Sequence, residues 1–179
     1  HPPMDLLLEY AAGALPVAQS ACVAAHLSYC QRCRQVVDRL EDVGGAHLER
    51  LDPQPVGESV LESVMARLDD PEPLRYAPNE VSDTQLPGLL DRLINGNYAD
   101  LAWKRVTQSL SISYLKTGDP NHEFALYRIA EGGRIPEHTH GGSEMTLVLR
   151  GGFADESGEY HPGDFLVREG WDKHTPVAL

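Results

Sequence analysis

Two cysteines and a histidine stand at a spacing that can bind a metal ion. Cys30 and Cys33 are separated by two residues, and His26 precedes Cys30 by about one helical turn. Zinc takes four nitrogen or sulfur ligands in a tetrahedron, and a turn with Cys-x-x-Cys presents two thiolates to one ion. A helix that ends just before Cys30 would direct the His26 imidazole to the same ion. The sequence therefore predicts a zinc site in the first part of the chain.

The fourth ligand of this site has two candidates. His1 precedes the first predicted helix and could fold back onto the site. Cys22 lies one turn before His26, and residues at this spacing share a helix face. Two simpler interpretations stand beside these: His1 as the remnant of a tag, and Cys22 as a small core residue. The residues alone leave the choice open.

A second group of metal-ligating types lies far downstream. His138 and His140 point to one face of an extended strand, because side chains alternate along a strand. A glycine pair after His140 can return the Glu144 carboxylate to the same ion, and His174 is the expected fourth ligand. Three imidazoles and a carboxylate suit Zn²⁺, Fe²⁺, Mn²⁺ or Ni²⁺, so the ligands do not identify the ion. His161 competes with His174, but its Tyr-His-Pro-Gly context is typical of a solvated turn.

Helical periodicity dominates the part of the chain that carries the first site. The sequence predicts helices over residues 5–12 and 16–29, and a third from Cys30 or Gln31 to the glycine pair 44–45. Gly13 is expected to end the first of them with a positive φ. Three short helices bury little area, so a bound metal is expected to supply part of the folding free energy.

A fourth helix is predicted after a Pro-containing segment at 52–55. Ser59 and Glu62 have the spacing of a capping box, which marks a helix N-terminus. The helix has a one-sided apolar stripe that consists of Val60, Leu61, Val64, Met65 and Leu68. This stripe either packs on the first three helices or remains available for a partner.

The second part of the chain has a different period. Residues 70–87 have the composition of a linker, and 89–94 add one helical turn. Short segments rich in β-branched or aromatic residues follow at 103–106, 110–115, 124–129, 145–149 and 165–167. Strands without intervening helices predict a sandwich or barrel. The expected fold class is therefore α+β in two domains, a helical domain over 1–69 and an all-β domain over 88–179.

Composition limits the classes of function. The chain has 179 residues and a formal net charge of −12, which disfavours direct binding of nucleic acid because phosphates are bound by clustered Lys and Arg. No apolar run approaches the roughly 20 residues of a membrane span. Three cysteines, two of them in Cys-x-x-Cys, fit a metal in a reducing compartment better than a disulfide framework. We therefore expect a cytoplasmic protein with a protein partner and no contact with a membrane. The start at His1, without Met, suggests that a few residues were removed.

The helical half carries a family resemblance. An upstream His followed by His-x3-Cys-x2-Cys, on compact helices with a detached fourth, resembles the zinc-binding domain of ChrR-type anti-sigma factors. The segments Leu8–Gly13 and Val43–Gly45 are also similar to that family. The resemblance covers residues 1–69. It implies that His1 is the fourth zinc ligand beside His26, Cys30 and Cys33.

The second half resembles a cupin, a double-stranded β-helix. The spacing Gly132-x5-His138-x-His140-x3-Glu144-x6-Gly151 matches the first cupin motif throughout. The second motif is matched at Gly163 and His174, but Glu169 and Trp171 stand where it has Pro and Gly. We therefore expect a differently shaped loop before His174. A complete cupin continues beyond the last residue here, so either the terminus is trimmed or the barrel is open along one edge.

The resemblance implies a regulator rather than an enzyme. In such a protein the zinc domain binds and sequesters a sigma factor of the extracytoplasmic-function type. The metal-binding cupin domain senses an oxidant such as singlet oxygen and triggers release. The alternative hypothesis is a metal-dependent cupin oxygenase or isomerase that acts on a small molecule at the His138, His140, Glu144 and His174 site. The sequence offers no recognisable further acid, base or substrate clamp for that reaction.

Overall fold

The computed structural model describes residues 1–68, 87–94, 98, 101–138 and 141–179. The predicted linker, apart from Pro87, and the candidate ligand His140 lie outside the described residues. Five helices are described: α1 (Met4–Ala11), α2 (Val17–Tyr29), α3 (Gln31–Leu48), α4 (Glu58–Ala66) and α5 (Gly88–Leu93). Eight strands follow: β1 (Lys104–Arg105), β2 (Leu110–Tyr114), β3 (Ala125–Ile129), β4 (Glu144–Leu147), β5 (Phe153–Asp155), β6 (Gly158–Tyr160), β7 (Phe165–Arg168) and β8 (Val177–Ala178). The helices precede the strands along the chain, which confirms the predicted α+β fold class.

Local sequence explains where α1, α2 and α3 begin and end. Gly13 has a φ of +67°, as predicted, and reverses the chain after α1. Pro16 is the N-cap of α2, where its missing N–H leaves no hydrogen bond unmade. Cys30 is extended and joins α2 to α3, and its Sγ accepts a hydrogen bond from the Cys33 N–H at 3.3 Å. The same cysteine therefore caps a helix and belongs to the candidate metal site.

Two predicted helix boundaries were wrong. The helix α3 continues through Gly44 and Gly45 to Leu48. Each glycine costs about 1 kcal/mol relative to alanine, which is too little to end a helix that keeps its hydrogen bonds. Ser59 is not an N-cap, because α4 begins at Glu58 after Gly57. Glycine is itself an acceptable N-cap, so the capping-box spacing there was accidental.

The strands form three antiparallel groups, β1-β2-β3, β4-β7 and β6-β5-β8. The five predicted strand segments are confirmed, as is the helical turn α5. The sequence did not predict β5, β6 and β8, which have only two or three residues each and show no periodicity. The C-terminal strand β8 pairs with β5, and Ala178 also exchanges backbone hydrogen bonds with 132–133. The last residues are therefore hydrogen-bonded to the sheet.

One apolar cluster joins helices and strands. Its buried members from α1, α2 and α3 are Leu6, Leu7, Cys22, Val23, Cys33 and Val37. Phe165 of β7 is buried in the same cluster, and Met145 and Leu147 of β4 pack against it. The β4-β7 pair thus completes the core of the helical half. The domain division at residues 69 and 88 remains a prediction, and the two parts share apolar contacts.

The neighbouring leucines of α1 provide a test of this core. Leu7 is 3% exposed and Leu8 is 53% exposed. Leu7→Ala is expected to lower the free energy of unfolding by about 2–5 kcal/mol, because it removes buried methyl groups and leaves a cavity. Leu8→Ala, the control, should change it by less than about 0.5 kcal/mol. Urea denaturation of both variants measures the difference, and equal losses would contradict the assigned face of α1.

Candidate metal centres

Four side chains gather where α2 meets α3. The ligand atoms of His1, His26, Cys30 and Cys33 all lie within 4.8 Å of one another. His1 Nδ1 is 3.5 Å from Cys30 Sγ and 3.7 Å from Cys33 Sγ. Two donors at zinc–ligand distances and a tetrahedral angle are roughly 3.3–3.8 Å apart. The spacing and the donor types therefore fit a tetrahedral zinc ion.

The hydrogen bond of His26 fixes which of its nitrogens can bind a metal. Nδ1 is 2.8 Å from the carbonyl oxygen of Gly163. A carbonyl only accepts, so Nδ1 carries the proton and Nε2 keeps its lone pair. Nε2 is buried and has no hydrogen-bond partner among the described residues. A metal ion would occupy this position, and the Nδ1–H···O=C bond is the usual support for a metal-binding imidazole.

Burial also keeps His26 in the form that a metal needs. The side chain is 1% exposed, and this burial lowers its pKa below the usual value. The imidazole is therefore neutral at neutral pH. The ring of His1 meets it edge-on with centroids 5.6 Å apart. One nitrogen of each ring lies within 4.8 Å of both thiol sulfurs.

The two thiols of the group differ from each other in acidity. Burial raises the pKa of the Cys33 thiol, and the adjacent Cys30 raises it further, to about 11. Burial acts in the same direction on Cys30, but hydrogen bonds from Cys33 and from the Arg32 N–H, together with the positive charge at the His1 nitrogen, outweigh it and lower the Cys30 pKa. The two thiols therefore have different surroundings although they lie two residues apart.

The other candidate for the fourth ligand lies elsewhere. Cys22 is buried in the apolar cluster, and desolvation raises the pKa of its thiol to about 12. Such a thiol behaves as a small apolar residue. The structure thus brings His1, and not Cys22, to the other three ligands.

The second group of predicted ligands also comes together in part. His138 and His174 face each other across an isolated antiparallel bridge, with ring centroids 4.5 Å apart. Glu144, the first residue of β4, places Oε2 3.6 Å from His174 Nε2. His174 is 4% exposed despite the departures from the second cupin motif. His140 lies outside the described residues, so the structure shows two of the other predicted side chains, His138 and Glu144, each beside His174.

Two residues behind this group were missed by the sequence reasoning. Asp155 has a fully buried side chain and forms an ion pair with Arg168. Its Oδ2 lies 3.8 Å from His174 Nδ1. A carboxylate orients a metal-binding histidine when it accepts a hydrogen bond from the second ring nitrogen, and 3.8 Å is slightly longer than such a bond. Neither residue belongs to a ligand motif, so no signal in the sequence marks them.

His161 lies where a turn residue is expected. It is exposed, and its N–H donates to Asp164 Oδ2 at 2.8 Å across the turn before β7. The imidazole is not part of either group of ligands. The structure therefore favours His174 over His161.

Comparison with known proteins identifies the family. Residues 92–179 match the family of ChrR cupin-like domains. The anti-sigma-E factor ChrR of Cereibacter sphaeroides is 38% identical over 173 residues, which are 97% of this chain and 80% of that protein. The chain belongs to the ChrR family of anti-sigma factors. A crystal structure of Rhodobacter sphaeroides SigE in complex with the anti-sigma ChrR superposes with a TM-score of 0.85 at 36% identity, covering 99% of this chain and 91% of that chain.

The ChrR-family chain also exposes an apolar surface that no metal site explains. Leu61, Val64, Met65 and Leu68 of the predicted stripe are all more than half exposed, and Val60 is 45% exposed. The stripe therefore does not pack on the first three helices. Exposed apolar residues continue upstream, at Val43, Leu48, Leu51 and Val56. Leu48 was missed because the predicted third helix ended at the glycine pair 44–45, whereas α3 continues to Leu48. We call residues 43–68 with these nine side chains the apolar arm.

No helix among the described residues of this ChrR-family chain is long and apolar enough to cross a membrane.

Proposed function

We propose that this chain binds and sequesters a sigma factor of the extracytoplasmic-function type. The observation that carries the proposal is the exposed apolar arm, in a chain whose relative forms a complex with SigE. Soluble proteins seldom expose such a patch without a partner. In our proposal the partner is a protein, and the chain acts by binding it rather than by catalysis. The complex forms in the cytoplasm, where a sigma factor meets its polymerase.

The form of the arm suggests how it would bind. The apolar residues of α4 recur at spacings of three and four, so they lie along one side of the helix. An amphipathic helix binds a groove through anchors at this spacing. We propose that α4 enters an apolar groove of the sigma factor, which then cannot use that surface for the core polymerase.

The first metal site has a structural part in this proposal. We propose that His1, His26, Cys30 and Cys33 hold Zn²⁺. A zinc ion there would link the segment before α1, the end of α2 and the start of α3 in a half with a small core. It would thus hold rigid the surface from which the apolar arm extends. The ion would supply structural cross-linking and no chemistry.

The second metal site has a sensory part. We propose that His138, His140, Glu144 and His174 bind Zn²⁺ or another divalent transition metal, and that an oxidant such as singlet oxygen alters this site and triggers release. The supporting observations are the gathered side chains of His138, Glu144 and His174 and the buried Asp155 behind them. A signal there weakens the complex only if it favours the unbound arrangement of the chain.

Reconstitution tests the proposed partner. The purified full chain is mixed with an extracytoplasmic-function sigma factor encoded beside its gene, and the mixture is analysed by gel filtration and by transcription with core polymerase. We expect a stable complex and inhibition of transcription that scales with the added chain. Free elution of both proteins and undiminished transcription would refute sequestration.

Glu144→Ala separates binding from response. Glu144 lies far along the chain from the apolar arm, so this variant should bind the sigma factor within about twofold of the unaltered chain. It should lose most of the release that photosensitised singlet oxygen produces, because a ligand of the sensing site is gone. Glu159→Ala, on exposed β6, is the control and should respond normally. Normal release from Glu144→Ala would refute the sensory part of the proposal.

A further inference from the structure

The β4-β7 pair lies between the two candidate metal sites. Its four residue pairs run from Glu144 opposite Arg168 to Leu147 opposite Phe165. Three steps along a strand span about 10 Å. One end of the pair therefore carries a candidate ligand of the cupin site, and the other end reaches the helical site. We call β4, β7 and the turn that precedes β7 the ribbon.

The helical end of the ribbon holds two of the zinc-ligand candidates. The Gly163 carbonyl accepts the hydrogen bond of His26 Nδ1, and the Phe165 ring meets the His26 ring edge-on at 5.7 Å. The Phe165 carbonyl accepts from the backbone nitrogen of His1 at 3.2 Å. Support for a site in the helical half thus comes from the cupin half.

The position of the Gly163 carbonyl is set by the ribbon itself. The Gly163 N–H donates to the Val148 carbonyl at 2.8 Å, and the Val148 N–H donates to the Asp164 carbonyl at 3.0 Å. The two-stranded pairing therefore continues into the turn. A shift of β4 relative to the helices would move the carbonyl that orients His26.

The turn is also in close contact with the end of α2. A Cβ added to Gly163 would lie 2.8 Å from the Tyr29 Cβ, and Gly163 has a φ of +93°. The Tyr29 hydroxyl donates to the Leu149 carbonyl at 3.1 Å, just beyond β4. Only glycine at 163 lets the turn approach α2 closely enough for the bond to His26.

We propose that the Gly163 turn is the outer support of the helical zinc site, and that the ribbon couples this site to the cupin site. Gly163 is a positioning residue that acts through His26. Residues that orient a metal-binding histidine change metal affinity by about 10- to 100-fold when lost. An alteration at Glu144 would therefore speed the exchange of zinc at the helical site without emptying it. This inference rests on the proposed zinc in that half and adds the route by which the cupin half acts on it.

Zinc release from the full, zinc-loaded chain tests the outer support. Gly163→Ala is expected to speed transfer of zinc to a chromogenic chelator by about 10- to 100-fold, because the added Cβ pushes the turn off α2. Gly158→Ala is the matched control. Gly158 also has a positive φ, +150°, but an added Cβ would meet no atom of the described residues within 4 Å apart from its chain neighbours. Equal release rates for the two variants would overturn the proposal.

A nuclear magnetic resonance measurement reads the hydrogen bond directly. The Nδ1–H proton of His26 should appear downfield in the zinc-loaded chain and in Gly158→Ala, and should be lost or shifted in Gly163→Ala. Tyr29→Phe is a milder variant that is expected to fold and to speed release by about 2- to 10-fold. Persistence of the His26 signal in Gly163→Ala with a normal release rate would overturn the assigned support.

The far end of the ribbon tests the coupling. Glu144→Ala should speed zinc loss from the helical site by at least about threefold relative to Glu159→Ala. No difference between them would overturn the coupling while leaving the support by Gly163 in place. These release rates do not involve the sigma factor. If the chain shows the predicted differences in zinc release but binds no sigma factor, the proposed function is refuted and the support of the zinc site by the ribbon stands.

Discussion

Cys30→Ser is expected to release zinc from the helical site and to abolish binding of the sigma factor. Serine at this position keeps an oxygen that can cap α3, so the N-cap hydrogen bond that Cys30 accepts is replaced rather than lost. A serine hydroxyl is a far poorer zinc ligand than a thiolate. The variant therefore removes the metal with little other damage.

The magnitude follows from comparing two free energies. Structural zinc sites contribute apparent binding free energies of about 10–16 kcal/mol at neutral pH in small peptides. Whole domains are stable by only about 5–15 kcal/mol. Loss of the ion should therefore unfold α1 to α3 or leave them fluctuating, even though Phe165 adds to their core. The apolar arm would then lack a rigid base.

Zinc content, amide hydrogen exchange over residues 1–48 and sigma-factor pull-down measure these effects in the full chain. Cys22→Ala is the matched control, because it removes a thiol that lies outside the ligand group. It should retain zinc and bind the sigma factor normally. Full inhibition by zinc-free Cys30→Ser would refute the structural role of the metal.

Ligand spacing was predictable because it is a local property. His26, Cys30 and Cys33 lie within a single helix–turn–helix, so the sequence fixes their distances to within a turn. The carbonyl of Gly163 could not be predicted in the same way. It belongs to the main chain and comes from 137 residues further along, so no side-chain type marks it. Sequence motifs indicate a local group of candidate ligands well, and they indicate main-chain contacts from distant parts of the chain poorly.

The two halves were predicted as separate units, and their contact was missed. Alternation and turn residues identify β4 and β7, but they do not indicate that the apolar side chains of these strands meet the helices. In the structure Phe165, Met145 and Leu147 pack against the helical cluster. A period of two indicates which residues share a face and not what that face meets. The small helical core gave an indirect signal, because three short helices need stabilisation beyond their own apolar contacts.

The sequence also did not determine whether the apolar stripe of α4 is exposed, because periodicity does not show what a face contacts. A one-sided stripe is equally consistent with packing on neighbouring helices and with exposure in the free chain for binding to a partner. The structure decides, because Leu61 is 68% exposed and Leu68 is 66% exposed. This exposure makes the arm the place where substitutions should affect binding and nothing else.

Leu61→Asp combined with Met65→Asp should weaken sigma-factor binding by about 2–4 kcal/mol, or roughly 30- to 1000-fold in Kd. The two residues are one helical turn apart on the apolar side of α4, and both are exposed in the free chain. Burying two carboxylates in an apolar groove carries a desolvation cost that no partner group offsets. Zinc content and the free energy of unfolding should stay unchanged.

The matched control places the same charges on the other side of the same helix. Ser59→Asp combined with Ser63→Asp has the same spacing and adds the same charge to exposed positions of α4. Isothermal titration with the sigma factor should give an affinity for the control within about threefold of the unaltered chain. Equal weakening by both pairs would mean that charge, and not the apolar side, governs the contact. Unchanged affinity for the Leu61 and Met65 pair would remove α4 from the interface. Because neither pair touches a metal ligand, any loss of binding is assigned to the arm rather than to the fold that presents it.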